Sequence, residues 1–468
     1  MMPSKETRRA EGRPWPEGNC NEKAKVQTQS RSALPANLIR VNEAARRERQ
    51  TRFTALLHHL DVKALKRAYH RQRKRTGTGI DGMTVTEYGR NLASNLKDLC
   101  DRVHSCRYRP QPVRRVYIPK SDGGERSLGI PTLEDKIVQS AVAELLSAIY
   151  EVDFLGISYG FRPGRSSHQA LDALQTAVMT QKIDWVLDAD IRSFFDSVDH
   201  EWLLRMLSHR IADRRIQRLI QQWLRAGVLE SGEFTETVQG TPQGAGISPL
   251  LANIFLHYAL DLWVQRWRRT VAIGKVIIVR YADDFVVGFQ READARRMLS
   301  DLKDRLSKFG LMLHEDKTRL LEFGRFAIER RARRNAGRPE TFSFLGFTHY
   351  CAESRDGRFV LKRKTQRERM IRKLKELRTE ARRRMHQPVG EQWKWLSAVL
   401  RGHYAYYGLT GNSRALSTFA FEVGKIWHRS LRRRSQKSGM TWEKFNRLLK
   451  LFPLPTPWIT RPWQVLSA

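Results

Sequence analysis

Three carboxylates stand where they could do chemistry. Asp190 ends the short run Trp185-Val186-Leu187-Asp188-Ala189-Asp190-Ile191, and Asp283 and Asp284 separate two apolar runs, Lys275 to Arg280 and Phe285 to Phe289. The first run alternates as a strand does, and a period of two puts Asp184, Asp188 and Asp190 on one face. The other two predict a hairpin with paired acids at its tip. Carboxylates from two strands converge only if the strands are neighbours in one sheet. Once together they repel strongly unless a divalent cation lies between them. Oxygen donors without His or Cys favour Mg²⁺ over zinc. Two such ions about 4 Å apart would activate a 3′-hydroxyl and stabilise the leaving oxygens of an in-line phosphoryl transfer. The acids alone leave a plainer reading open, because Asp-Asp often only makes a turn.

The elements that must position these acids are mixed α and β. Helical patterning runs through Leu56 to Tyr69 and Tyr88 to Val103. Arg114 to Lys120 and Arg126 to Ile130 form a basic hairpin across the turn Ser121-Asp122-Gly123-Gly124. Apolar helical patterning covers Leu133 to Tyr150, residues 200 to 227 read as helical, and a helix from Glu292 stops at Gly310. Residues 1 to 50 are polar and lack periodicity, which predicts a largely disordered arm. Between residues 361 and 440, 21 Lys and Arg face 5 Asp and Glu, on three expected helices, Thr365 to Met385, Gln392 to Tyr407 and Ala415 to Arg434. The Pro-punctuated tail from Leu451 reads as extended.

The whole chain of 468 residues carries 85 Lys and Arg against 49 Asp and Glu, a net charge of +36. A polyanionic partner relieves such self-repulsion, and nucleic acid does so with release of condensed counterions. No apolar stretch is long enough to span a membrane, and the start has no secretory h-region. The four cysteines, Cys20, Cys100, Cys106 and Cys351, are scattered, so neither a disulfide framework nor a zinc site is expected.

Several further motifs change the balance for the acids. Tyr281-Ala282-Asp283-Asp284 between apolar strands resembles the signature of reverse transcriptases. Asp188-Ala189-Asp190-Ile191-Arg192-Ser193-Phe194-Phe195-Asp196 resembles that family's first catalytic motif, and Gly240-Thr241-Pro242-Gln243-Gly244 with Ile247-Ser248-Pro249-Leu250-Leu251-Ala252-Asn253 the motif that holds template and incoming nucleotide. His314-Glu315-Asp316-Lys317-Thr318 and Phe344-Leu345-Gly346-Phe347 follow in the family's order. Tyr159-Gly160-Phe161-Arg162-Pro163-Gly164-Arg165-Ser166 and Arg401-Gly402-His403-Tyr404-Ala405-Tyr406-Tyr407-Gly408 are similar to the group II intron-encoded branch, the reverse transcriptase/maturases. The likeness covers roughly residues 55 to 440.

That resemblance implies an α/β right-hand polymerase, with fingers and an antiparallel palm sheet over residues 113–355. An N-terminal extension of the fingers spans 51–112, and an all-α three-helix thumb, the maturase X domain, spans 356–440; a short segment, 441–468, ends the chain. It implies an RNA-directed DNA polymerase that binds group II intron RNA, assists splicing and copies the intron at target DNA during retrohoming. The alternative is a free-standing enzyme of the same lineage used in host repair or defence. Asp190 and Asp283 would be the main ligands of two Mg²⁺ ions and Asp284 a weaker one. Lys120 and Arg126 would grip the triphosphate of a deoxynucleotide. Arg162 is a candidate for the same pocket or for holding the adjacent turn. Phe195 falls where the family blocks a ribose 2′-hydroxyl, though an aromatic there also suits a core. Gln243 would meet the nascent base pair or the template, and Gly244, Phe344, Leu345 and Gly346 the RNA template/DNA primer duplex. Lys317 would protonate pyrophosphate or form a structural ion pair. Gly244-Ala245-Gly246 departs from the family's two adjacent glycines. Endonuclease-type His, Asn and paired Cys are not seen after residue 440, so an endonuclease-lacking type working in the bacterial cytoplasm or nucleoid is expected.

Overall fold

The structure, a computed structural model, describes residues 34–461 apart from 75–76, 120–123, 231–232, 238, 242–243, 355 and 435–438. The 21-residue helix Leu133–Asp153 is capped by Thr132, whose hydroxyl accepts from the Asp135 amide. Its buried residues, among them Ile137, Val138, Val142, Leu145, Leu146 and Ile149, take up most of its circumference, so it forms an inner helix. Helix Ala36–Arg47 lies against it and buries Leu38, Val41 and Ala45. Asn42 Nδ2 donates to the Ala148 carbonyl at 2.7 Å. This corrects the expected arm over residues 1–50 for its last third. A helix of 12 residues is marginal on its own in water, and docking of its apolar face supplies the stability.

The helical reading of residues 200 to 227 also needs a correction, because two helices occur, His200–Ser208 and Arg214–Leu224. Phe53 interrupts them: its amide donates to the Arg210 carbonyl at 2.8 Å, and its carbonyl accepts from Ala212 and Asp213. Asp213 then caps the second helix.

Among the described residues eleven strands occur: β1 Val113–Pro119, β2 Glu125–Ile130, β3 Trp185–Ala189, β4 Val228–Glu230, β5 Glu233–Thr235, β6 Val276–Tyr281, β7 Asp284–Phe289, β8 Arg319–Glu322, β9 Phe342–Phe344, β10 Phe347–Glu353 and β11 Phe359–Thr365. They make three sheets, ordered β2-β1-β4-β5, β11-β10-β9 and β6-β7-β3-β8. The last is antiparallel throughout. Its alternating residues sort into two cores, as a pleat of period two requires. Leu187, Ile278, Phe285 and Val287 join helices Leu133–Asp153, Ser248–Leu256 and Glu292–Ser307. Val186, Ile277, Val279 and Val286 join helix Ser167–Thr180 and the β9–β11 sheet. Being buried on both faces, the central sheet is a rigid platform whose ends alone are free for chemistry.

Helices Arg367–Arg383, Val389–Tyr407, Ser413–Arg432 and Trp442–Leu451 pack around Leu377, Leu400, Phe419, Val423, Trp427 and Phe445. The fourth helix corrects the expected three-helix unit: Phe445 is buried against Trp427, so residues beyond 440 belong to the same core. The extended tail is tied to it by Trp393 Nε1 donating to the Pro453 carbonyl and Tyr404 Oη to that of Pro455. Strands β10 and β11 pair with each other from either side of the boundary that the change of composition suggests. Among the described residues no helix is long and apolar enough to cross a membrane, and Cys100, Cys106 and Cys351 are free.

Candidate active site

Pairing of Ala189 with Phe285 places the next residue of β3, Asp190, beside Asp284 at the start of β7. Asp283 lies in the two-residue turn between β6 and β7, after Ala282 in a left-handed conformation (φ 59°). The segment after Gly310 runs alongside: the Asp190 carbonyl accepts from the His314 amide at 2.8 Å, and Ile191 bridges Leu313. That segment delivers Lys317, whose Nζ is 3.2 Å from Asp190 Oδ2. The three acids and Lys317 therefore share one end of the central sheet.

The electrostatics record the crowding. Asp284 is exposed to solvent yet densely surrounded by protein, and this desolvation, with Asp283 and Asp190 beside it, pushes its carboxyl up to about 7. Water reaching the exposed side chain screens part of that repulsion. Burial likewise raises Asp188 to about 6, although the Arg319 guanidinium is 3.6 Å away. Among the described residues no three His, Cys, Asp or Glu side chains are already drawn together as a coordination cluster. Lys317 partly offsets the crowding by pairing with Asp190. The donor set, oxygen only and crowded enough to disfavour ionisation, fits a hard divalent cation.

Beneath the turn lies a polar network whose Asn253 and Gly160 fall within the motifs but whose Arg280 and Asp261 do not. Arg280, fully buried, donates through Nε and Nη2 to Asp261 at 2.7 and 2.6 Å. Its Nη1 donates to the Ala282 carbonyl at 2.8 Å and to Asn253 Oδ1 at 3.1 Å. Asn253 Nδ2 donates to the Gly160 carbonyl at 2.7 Å. Gly160 is pressed on the turn so closely that a Cβ there would lie 2.3 Å from the Ala282 nitrogen. The available signal was an Arg, an Asn and an Asp at inward positions of otherwise apolar elements, since buried charges are almost always paired.

The other expected residues are distributed as follows. Arg162 holds its turn: its guanidinium, 2% exposed, pairs with Glu151 at 3.0 Å and donates to the Leu155 and Ser158 carbonyls. So committed, it is not available to a nucleotide. Phe195 is half-buried, packs against Phe194 with ring centroids 5.5 Å apart, and accepts at its carbonyl from the Thr241 amide. Gly244 has φ 113°, and a Cβ there would come 2.8 Å from the Gly129 carbonyl of β2, so this loop lies directly on the β1–β2 hairpin. Phe344 is buried, and the Leu345-Gly346 turn beyond it has both residues left-handed. Tyr406 Oη donates to the Leu345 carbonyl at 2.9 Å and the Gln366 amide to that of Gly346 at 3.0 Å, locking the turn to the C-terminal helices. Lys120 and Gln243 lie outside the described residues, and Arg126 is described by its backbone in β2 alone.

Comparison with known proteins follows the same lines. The reverse transcriptase (RNA-dependent DNA polymerase) family matches residues 118–349. Its right-hand polymerase fold accords with the mixed helix and sheet, and the antiparallel central sheet, described above. Protein YkfC of Escherichia coli (strain K12) is 39% identical over 237 residues, 45% of this chain and 62% of its own length. Group II intron-encoded protein LtrA of Lactococcus lactis subsp. cremoris is 42% identical over 170 residues, 36% of this chain and 28% of its own. Nuclear intron maturase 4, mitochondrial, of Arabidopsis thaliana is 28% identical over 137 residues, 29% of this chain and 17% of its own. The chain thus spans less than two thirds of each of these relatives. The carboxylates at the sheet end, the motif order and these likenesses agree: over about half of its length the chain is similar to the reverse transcriptases, and its relatives include a group II intron-encoded protein and an intron maturase.

Proposed function

We propose that this protein is an RNA-directed DNA polymerase encoded by a group II intron, which binds the intron RNA, assists its splicing and copies it into DNA at the target site during retrohoming. The observation that carries this reading is the β3–β7 register, which seats Asp190 beside Asp284 at the end of a doubly buried antiparallel sheet. On this reading the central sheet is the palm, the β1–β2 hairpin and its neighbours are the fingers, and the C-terminal helices are the thumb.

Two Mg²⁺ ions, when bound, supply the positive charge that activates the primer 3′-hydroxyl and stabilises the leaving oxygens. Asp190 and Asp283 are the residues to hold them, with Asp284 a weaker or indirect ligand. The remaining work falls to side chains. Lys120 and Arg126 on the hairpin hold the triphosphate by charge-assisted hydrogen bonds. Phe195 excludes a ribose 2′-hydroxyl, and Gln243 with Gly244 supports the nascent base pair. Phe344, Leu345 and Gly346 align the primer strand. Lys317, ion-paired to Asp190 at 3.2 Å, is placed to move its proton to departing pyrophosphate. The arginine-rich C-terminal helices hold structured RNA by phosphate and shape contacts. The partners are the intron RNA, target DNA, the template/primer duplex and deoxynucleoside triphosphates, in the bacterial cytoplasm or nucleoid.

The direct test is to sequence the RNA that stays bound through purification in high salt with a competitor wash. One structured species with catalytic-intron features is the expected result. A heterogeneous mixture, with robust primer extension in the same preparation, would replace this reading by a free-standing polymerase.

Metal binding has its own pH signature. The Asp284 carboxyl, ordinarily near 3.8, is raised to about 7. Between those values it is protonated in the folded chain and ionised in the unfolded one. Its contribution to stability is therefore complete at acid pH and lost as pH rises through 7. A divalent cation favours the ionised form, so protons compete with it. Added Mg²⁺ is expected to raise the melting temperature more at pH 8 than at pH 6. Equal shifts at the two pH values, in a thermal melt with and without Mg²⁺, would remove Asp284 from the metal's neighbourhood.

A further inference from the structure

Arg280 and Asp261 form an ion pair with no exposure on either side chain. Taking two charges out of water costs more than their attraction commonly returns, so such a pair is weak support for stability and needs another reason. The reason is visible in what else Arg280 touches. Its backbone is clamped on both sides, the amide donating to the Ile157 carbonyl at 2.9 Å and the carbonyl accepting from the Tyr159 amide at 2.8 Å. Its side chain turns back under the hairpin tip and holds the Ala282 carbonyl. From there the contacts close a ring: Arg280 to Asn253, Asn253 to the Gly160 carbonyl, and Gly160 against the Ala282 nitrogen. Ala282 is thus held at its carbonyl and closely packed by Gly160 on its amide side, and it is the non-glycine residue of the turn that adopts a left-handed conformation. Such a conformation persists only where its surroundings over-determine it.

Asp261 reaches Arg280 because of a local irregularity. Residues His257–Asp261 form a π-helical turn between helices Ser248–Leu256 and Leu262–Thr270. A residue inserted into an α-helix turns everything after it by about 100°, so regular winding would aim Asp261 elsewhere. Turns of this kind often occur at functional sites.

We infer that Arg280, Asp261 and Asn253 are positioning residues that set the Ala282-Asp283 turn, and through it the affinity of the Asp190, Asp283 and Asp284 set for divalent cations. This rests on the polymerase reading above. The three side chains are buried; they act by holding the Ala282 peptide groups, and the carboxylates follow.

Two variants separate this role from a structural one. Arg280→Met with Asp261→Leu replaces the pair by apolar groups of similar size, a change that buried pairs often tolerate without loss of stability. Asn253→Ala keeps the pair and opens the ring at one point. Mg²⁺ binding is read from the melting temperature across a Mg²⁺ titration, and primer extension supplies kcat and KM. The double variant is expected to need at least about tenfold more Mg²⁺ for half-saturation, with kcat down by at least about tenfold, since small misplacements are costly. KM for the deoxynucleotide and affinity for RNA should stay within about twofold, because no side chain that meets them changes. Arg280→Lys should not rescue, as an ammonium lacks the planar fork that serves Asp261 and Ala282 together. A lower melting temperature with unchanged half-saturating Mg²⁺ would overturn the inference, and if the double variant fails to fold, Asn253→Ala decides it by the same criterion. Wild-type protein that neither responds to Mg²⁺ nor extends primers would instead overturn the polymerase reading beneath it.

Discussion

Replacing Asp283 and Asp284 together by Asn should reduce primer extension by at least ~1,000-fold, or about 4 kcal/mol in the activation barrier. Asn is nearly isosteric, so the tip of the β6–β7 hairpin keeps its shape while losing the charge that balances a divalent cation. The folded state should not suffer. Asp284 is already destabilised by Asp283 and Asp190, and removing that repulsion relieves it. RNA affinity should stay within about twofold, because phosphate contacts come from Lys and Arg and the salt dependence of binding counts those contacts. Extension and RNA binding measured on one preparation check both halves. Residual synthesis near the wild-type rate would exclude these acids as metal ligands. RNA binding or splicing support falling in step with synthesis would show that the two functions share more than a polypeptide.

Gly160→Ala should cost about 100-fold in kcat, the penalty typical of displacing a reacting group by an ångström. The new Cβ would stand 2.3 Å from the Ala282 nitrogen and 2.9 Å from the Tyr281 carbonyl carbon. Both are backbone atoms, so no side chain can swing away, and either the Gly160 segment or the catalytic turn must move. The Gly160 side is the less free, since its carbonyl accepts from Asn253 and the preceding Tyr159 amide is bonded to Arg280. The turn should therefore give way and take Asp283 with it, while overpacking of this kind costs roughly 1–3 kcal/mol of stability. Gly156→Ala is the matched control: nothing lies within 4 Å of a Cβ built there, and it should leave kcat unchanged. If both variants behave alike in a steady-state assay, close approach at Gly160 does not govern the turn.

Some of this was legible residue by residue along the chain. The alternation in Trp185 to Ile191 and on both sides of Asp283 and Asp284 is local, and a period of two fixes which side chains share a face wherever the strand is placed. The long apolar helix Leu133–Asp153 and the stop at Gly310 (φ 70°) were equally local, since both express the conformational preferences of a few consecutive residues. The excess of Lys and Arg after residue 361 names a class of partner without any fold. What the line of residues did not contain was who meets whom once water is excluded. Arg162 could have faced a nucleotide or its own turn, and packing against Glu151, Phe154 and two carbonyls decided for the turn. Helix Ala36–Arg47 and helix Trp442–Leu451 look too polar to be structural, and each is held by one apolar face whose complement lies far away in sequence. Phe53 breaks a helical pattern more than 150 residues downstream. Arg280, Asp261 and Asn253 are three polar residues in three apolar settings, and only the crossing of β6 with the π-helical turn makes them one network. Periodicity is a property of neighbours in the chain and survives any tertiary arrangement. Desolvation and hydrogen-bond partnership are properties of neighbours in space, and for this protein they, not the motifs, determine how the catalytic turn is held.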